Sequence, residues 1–162
     1  MKSYETKLKI SAPADEVVKL MTTAEYAEAE AYVDGAITAK SRAEQCGEKS
    51  VRLITDRVDP SRGPNGKPIG DKKEKSISTS EWDIEKMKSS WSVKVPGMEK
   101  LVKISGNTWL EPAGAGACHL CEKGSVSIGL PIIGDIIAKG IVEDIKSGLP
   151  EKVKLIEMKL KK

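Results

Sequence analysis

Phenylalanine is missing from this chain altogether, and its 162 residues hold only three Trp and three Tyr, an aromatic fraction of 4%. A core built from it is filled by Ile, Val, Leu and Met, or stays partly open. A single His leaves one side chain that titrates near neutral pH without help from its surroundings. Three Cys, an odd count, argue against a disulfide framework. No stretch reaches the roughly 18 consecutive apolar residues of a membrane span. The opening Met1-Lys2-Ser3-Tyr4-Glu5 is polar and does not read as a signal peptide. The expectation is a soluble, cytoplasmic protein with no stable membrane insertion. Neither sign of charge dominates: the formal net charge is +3 with 31% charged residues, and no basic block carries interleaved aromatics. Nucleic acid is therefore not an expected partner. The length fits one domain, residues 1–162.

What the chain does have is a long apolar run at helical spacing near its end: Ile132, Ile133, Ile136, Ile137, Ile141, Val142, Ile145, Leu149, Val153, Ile156 and Leu160. At 100° per residue, Asp135, Lys139, Glu143 and Lys146 share an arc about 80° wide. Only that narrow stripe is expected to face water, with Asp144 the exception on the apolar side. A helix this apolar needs cover from more than one direction. Pro150 removes a ladder donor, so a kink or break is expected near Gly148-Leu149-Pro150.

Ahead of this helix the periodicity is mostly two. Leu8 and Ile10 alternate with Lys7 and Lys9, a first strand. Pro13 and the acids Asp15 and Glu16 suit a helix start. Thr22 with Glu25 resembles a capping box that restarts a second short helix, Ala24 to Tyr32. Strand-like segments follow at Ile37–Glu44, Lys49–Val58, Lys75–Glu85, Ser89–Val95, Lys100–Leu110 and Ala117–Leu130. Between the second and third of these, Asp59–Gly70 holds three Pro and three Gly in twelve residues. It reads as a long, exposed loop.

The order of strand, two short helices, six strands and long helix resembles the helix-grip superfamily that includes START lipid-transfer domains, the birch-pollen allergen and polyketide cyclases. The run Ile10-Ser11-Ala12-Pro13-Ala14-Asp15-Glu16-Val17 looks like its strand-to-helix signature. The run Gly124-Ser125-Val126-Ser127-Ile128-Gly129-Leu130-Pro131-Ile132-Ile133-Gly134 looks like its last strand entering the gripped helix. Within the superfamily the chain is closest in flavour to an uncharacterised bacterial family. The resemblance implies an α+β fold in which a curved antiparallel sheet of about seven strands wraps a long C-terminal helix. It also implies an apolar or amphipathic ligand held between sheet and helix.

Chemistry-bearing motifs are sparse. Cys118-His119-Leu120-Cys121 offers two thiols and an imidazole, but a structural zinc site takes four ligands, usually in separated pairs. In a strand Cys118 and Cys121 point to opposite faces, and the remaining Cys46 has no second His to join it. No metal and no cofactor are expected. On strand parity His119 faces outward, opposite Leu120, Val126 and Ile128. Gly63, Gly66 and Gly70 do not form a phosphate loop. The helix start at Pro131 to Gly134 offers backbone N–H groups that could take an anionic head group, ordinary capping being the commoner use.

Parity turns Trp82 and Trp91 inward and Trp109 outward, unless Gly106 carries a bulge. The expected ligand-binding residues are Trp82, Trp91, Val93, Ile104, Leu110, Ile128, Ile137 and Ile141, lining an apolar cavity. No catalytic residue is assigned. The reading is a non-catalytic binder or carrier of a small hydrophobic, lipid-like ligand. Two alternatives stand beside it. One is a cyclase- or hydratase-type enzyme in the same cavity, using inward-facing Glu122 or Asp144. The other is a protein-interaction module built on the Asp59–Gly70 segment.

Overall fold

The computed structural model describes residues 1–62 and 67–161. Period-two alternation builds β1 (Lys2–Ile10), after which the chain turns into α1 (Ala14–Met21) and α2 (Ala24–Val33). Six strands follow as successive hairpins: β2 (Thr38–Gly47), β3 (Ser50–Arg62), β4 (Pro68–Asp83), β5 (Lys88–Lys94), β6 (Val102–Pro112) and β7 (Cys118–Ile128). The chain closes on α3 (Ile133–Leu160). The sheet order is β1-β7-β6-β5-β4-β3-β2, and every neighbouring pair is antiparallel. Only β1 pairs far from its neighbours in sequence, and that pairing ties the two ends of the chain together. This is the expected α+β helix-grip arrangement, a curved sheet laid against a long C-terminal helix. Among the described residues no helix is long and apolar enough to cross a membrane.

Local chemistry explains the ends of the elements. Thr23, not Thr22, caps α2: its hydroxyl accepts from the backbone N–H of Tyr26 at 3.2 Å. The Thr22 hydroxyl instead donates back to the Val18 carbonyl at 2.8 Å, closing α1. The N-cap of α3 is Ile132, a β-branched side chain held at φ +69° and 90% exposed. Its neighbour Gly134 needs to be Gly, since a Cβ there would run into the Ile128 carbonyl. The N–H groups of Ile133 and Gly134 donate to the carbonyls of Pro131 and Leu130 at 2.7 and 3.0 Å. Two donors that an anion would need are therefore already engaged.

Three expectations are corrected here. Most of the expected loop Asp59–Gly70 is strand: β3 runs to Arg62 and β4 starts at Pro68, with pairs such as Asp59↔Glu74 and Pro60↔Lys73. Each of these prolines sits where a missing N–H is tolerated: Pro60 borders a shift of register between Pro60 and Arg62, and Pro68 opens its strand. Gly63, Pro64, Asn65 and Gly66 lie outside the described residues. Second, of the kink or break expected near Gly148-Leu149-Pro150, the break does not occur: α3 remains helical through Pro150. Third, α3 exposes far more than a narrow stripe. It packs against β1 and β7, with α1 and α2 at its flank. That buries Gly134, Ala138, Val142, Leu149, Val153, Leu155 and Ile156 and leaves Ile133, Ile136 and Met158 in water. Asp144 is exposed as well.

Two apolar clusters form the core. The larger joins Ile10, Val17, Val18, Tyr26, Val51, Leu53, Trp82, Leu110, Leu120 and Ile156 under α1 and α2. The smaller joins Tyr4, Val126, Ala138 and Val142, with Trp91, Ile104, Ile128, Ile141 and Ile145 packed against it. Each fully buried aliphatic side chain contributes about 1.5–3 kcal/mol.

Cysteine placement yields a direct check. Cys46 is exposed, while Cys118 and Cys121 are buried on opposite faces of β7. Burial, and next the neighbouring Cys121, pushes the Cys118 thiol up; burial, and next Glu111, does the same for Cys121. Since the thiolate is the nucleophile, Ellman's reagent at neutral pH should titrate one thiol per native chain and all three in denaturant. Rapid reaction of three thiols in the native state would contradict this packing.

Candidate functional site

The inward face of the sheet carries two neighbouring transverse rows near its centre. Register places Tyr4, Gly124, Gly106 and Trp91 side by side in one row, and Thr6, Glu122, Thr108, Ser89 and Trp82 in the next. The two glycines hollow out the first row. A Cβ at Gly124 would sit 2.6 Å from the Tyr4 hydroxyl oxygen. One at Gly106 would strike the Lys123 carbonyl and come within 2.5 Å of Trp91 Cζ2. Because Cβ atoms are missing there, both rings settle against the backbone with their polar edges turned toward the second row.

Those edges converge on Glu122, a carboxylate only 7% exposed. The Tyr4 hydroxyl donates to Glu122 Oε2 at 2.7 Å, and Thr108 Oγ1 donates to Oε1 at 3.0 Å. Trp91 Nε1 in turn donates to Thr108 Oγ1 at 3.1 Å. Four side chains from four strands thus form one chain of hydrogen bonds, the kind of buried polar group that is tolerated only when satisfied. Burial, and after it the Glu122 charge, holds the Tyr4 phenol far above its ordinary value, so it stays a donor.

A second polar group reaches the same interior from the helices. On α2, Tyr26, Glu30 and Asp34 follow at four-residue spacing and share a face. Lys152 of α3 places its Nζ 3.2 Å from Glu30 and 3.4 Å from Asp34. Burial disfavours its ammonium, but Glu30, Asp34 and Glu122 together override that and hold the Lys152 pKa above its ordinary value. Asp34 is pushed up by burial against the opposing pull of Lys152. Arg57 on β3 takes Asp59 in two bonds of 2.8 and 2.6 Å and lies 3.8 Å from Asp34. Among the described residues two buried side-chain hydroxyls have no hydrogen-bond partner: Tyr26 Oη, on a residue only 1% exposed, and Thr6 Oγ1.

The expected ligand-binding residues separate into groups. Trp91, Ile104, Ile128 and Ile141 come together in the smaller cluster under the N-terminal half of α3. Val93 stands beside Ile104 in the register and is half-buried. Ile137 is half-buried on α3. Trp82 and Leu110 belong to the other cluster, at the far end of the interior. None of the helices packs closely on β4 or β5 among the described residues: α3 lies over β1 and β7, and α2 over β2 and β3. α1 reaches β6, and among the described residues no helix covers β4 and β5, where Trp91 and Val93, with Ile104 and Ile128 beside them, are only partly buried. Two hollows are lined partly by these strands and reach round to the outward face. One of about 370 Å³ is lined by Trp82, Val51 and Ser89 together with the outward Glu81, Ser90 and Asn107. Another, of about 220 Å³, is lined by Val93, Val102 and Ile104 together with the outward Ser92, Lys103 and Ser105.

His119 and Trp109 face outward, and the β5–β6–β7 register passes Gly106 without a shift. Trp109 Nε1 donates to Glu111 at 3.2 Å on that outer face. Among the described residues no three His, Cys, Asp or Glu converge as metal ligands. Of the two acids weighed for catalysis, Glu122 is inward and buried, whereas Asp144 faces water. Parity alone singles out Glu122; it misses Tyr4, Tyr26, Glu30 and Lys152. Lys152 stands three residues after Leu149 and four before Ile156, on the buried stripe of α3, and that misplaced charge is a signal.

Two substitutions test this account. Lys152→Met removes the ammonium that Glu30 and Asp34 share, leaving Asp34 with Arg57 at 3.8 Å, and should cost about 2–4 kcal/mol in urea unfolding. That is below the value for a fully buried pair because both acids keep some water. The folded pKa of Lys152 is raised, so its contribution is complete at neutral pH and disappears only as pH climbs past the ordinary 10.5. Gly106→Ala should destabilise by about 1–3 kcal/mol and shift the Trp emission. An unchanged midpoint would mean that the ring does not rest on that glycine.

No curated protein matches the chain. Solved structures do match along its whole length. The protein TTHA0849 from Thermus thermophilus is 17% identical with a TM-score of 0.69, covering 97% of this chain and 95% of its own. Norcoclaurine synthase from Thalictrum flavum is 12% identical at a TM-score of 0.66, covering 99% and 88%. The Zhui aromatase/cyclase from a Streptomyces species is 11% identical at 0.62, covering 98% and 92%. At such identities these likenesses establish the fold alone, the helix-grip fold. A family model described as a protein of unknown function, DUF2505, matches residues 5–158, and the chain belongs to that family.

Proposed function

We propose that this protein binds a small hydrophobic or amphipathic molecule between the concave face of its sheet and α3, without transforming it. One observation carries the reading. A half-exposed apolar wall of Trp91, Val93, Ile104, Ile128 and Ile141 runs directly into a buried polar group in which two hydroxyls have no partner. Unpartnered buried hydroxyls cost about 1–3 kcal/mol each unless something hydrogen-bonds to them, and a wall of half-covered Ile and Trp favours an apolar occupant. The occupant that suits both has an apolar body and a polar end. A cytoplasmic setting accords with this role.

A cyclase- or hydratase-type reaction is the second reading, and Glu122 is what favours it. A carboxylate held 2.7 Å from a phenol on an inward face is a donor–acceptor pair of the kind acid/base chemistry uses. The binder reading is preferred because burial and the Glu122 charge hold the Tyr4 phenol far above its ordinary value, which makes it a poor proton donor to a substrate.

Native mass spectrometry of freshly purified protein should show an added mass of a few hundred daltons, recoverable by organic extraction. A ligand at about 100 times its Kd should stabilise the fold by about 2.7 kcal/mol, and Trp91 should report it in fluorescence. Ile141→Trp should fill the wall and abolish binding in a folded protein. If no mass is carried and no fatty acid, sterol or polyketide-like probe alters fluorescence or Tm, the proposal is wrong.

A further inference from the structure

We infer that the polar end of the interior is a subsite for a cationic head group, a protonated amine, held against Glu122 beside the free hydroxyls of Tyr26 and Thr6. The inference rests on the binding role proposed above and names the ligand class.

Partner assignment inside the fold leads to it. Lys152 is shared by Glu30 and Asp34, and Arg57 is taken in two bonds by Asp59. Glu122 forms an ion pair with neither among the described residues, although its charge reaches the Lys152 ammonium. Its hydrogen bonds among the described residues are both from neutral hydroxyls, Tyr4 and Thr108. A buried carboxylate normally sits beside a positive charge, because desolvation of the bare anion is expensive. Each Glu122 oxygen accepts one bond in the structure and has a second lone pair to offer.

The unpartnered hydroxyls mark the same place independently. Thr6 is the cross-strand neighbour of Glu122, and its Oγ1 is buried without a bond. Tyr26 comes from α2, on the face it shares with Glu30 and Asp34, and packs in one cluster with Trp82, Leu110 and Leu120, which lie in or next to the row of Glu122. An ammonium has three donors and no acceptor. Set here, it gives one to Glu122 and finds acceptor oxygens in Tyr26 and Thr6. An anionic head group would meet acids on three sides, with the one nearby ammonium already shared. The apolar body of such a ligand would extend along Trp91, Ile104 and Ile141.

Binding of n-octylamine, n-octanol and octanoate at pH 7, by calorimetry and thermal shift, tests the inference. Octylamine should bind at least ten-fold tighter than octanol, and octanoate more weakly than either. Glu122→Gln should erase the preference for the amine while leaving octanol affinity within about two-fold. Tyr26→Phe removes a hydroxyl that makes no bond in the fold. It should leave Tm unchanged or higher and weaken octylamine at least three-fold, which keeps the test decisive should Glu122→Gln not fold. Equal binding of the three ligands, or a preference for octanoate, would overturn the cationic subsite and leave the apolar binding role standing. No binding of any of the three, together with no co-purified mass, would overturn both. Unaltered octylamine affinity in Tyr26→Phe would overturn the placement of the head group.

Discussion

The carboxylate of Glu122 constrains everything around it. An acid on the inward face of a central strand has to be satisfied from within the fold, since it is 7% exposed. Its donors come from β1 and β6, the two neighbours of β7, and β5 joins through Trp91. The donors reach it because Gly124 and Gly106 lie side by side in the adjacent row and let two rings lie low. Glycine inside a strand weakens it by loss of packing and by entropy. Here the weakness is offset by hydrogen bonds that fasten four strands at one point. Glu122 also divides the core: the larger apolar cluster lies on one side of its row and the smaller on the other.

That division sets how α3 can be held. Its C-terminal half, through Val153 and Ile156, packs into the larger cluster with α1 and α2. Its N-terminal half, through Ala138 and Val142, packs on the smaller one. Lys152 falls between these regions and meets Glu30 and Asp34 from α2. A salt bridge this buried adds little net stability compared with apolar packing, but its geometry is demanding. It fixes α2 against α3 at one register, and so fixes where Tyr26 points.

Much of the frame is legible in local pattern. Period-two alternation locates the strands, and parity places His119 and Trp109 outward and Glu122 inward. These inferences hold because side-chain direction in a strand is set by backbone geometry, whatever the partner strand is. Local reading fails where tertiary context decides. Asp59–Gly70 looks like a loop because Pro and Gly break most strands, yet Pro60 falls at a register shift and Pro68 at a strand start, where the ladder tolerates them. The apolar arc of α3 suggests wide cover, but only β1 and β7 lie beneath it, leaving Ile133 and Ile136 in water. Pro150 forfeits one donor in a helix otherwise secured by Leu149 and Val153 on the core side, and the helix continues.

The polar group itself is hidden for a different reason. Tyr4 and Glu122 are 118 positions apart, and Lys152 is farther still from Glu30; no local window contains either pair. What a sequence can show is the anomaly each member leaves behind: a Gly in the middle of each of two strands, a Lys on an apolar stripe, an acid on an inward face. Each has an ordinary explanation when taken alone. Together they mark positions where the fold accepts a local penalty, and such penalties persist in a marginally stable chain only if something offsets them. For the glycines and Lys152, that offset is visible in the hydrogen bonds and ion pairs they permit. For Tyr26 and Thr6 no such offset is visible among the described residues: their buried hydroxyls have no hydrogen-bond partner there, which sets them apart from the groups that hold the fold together.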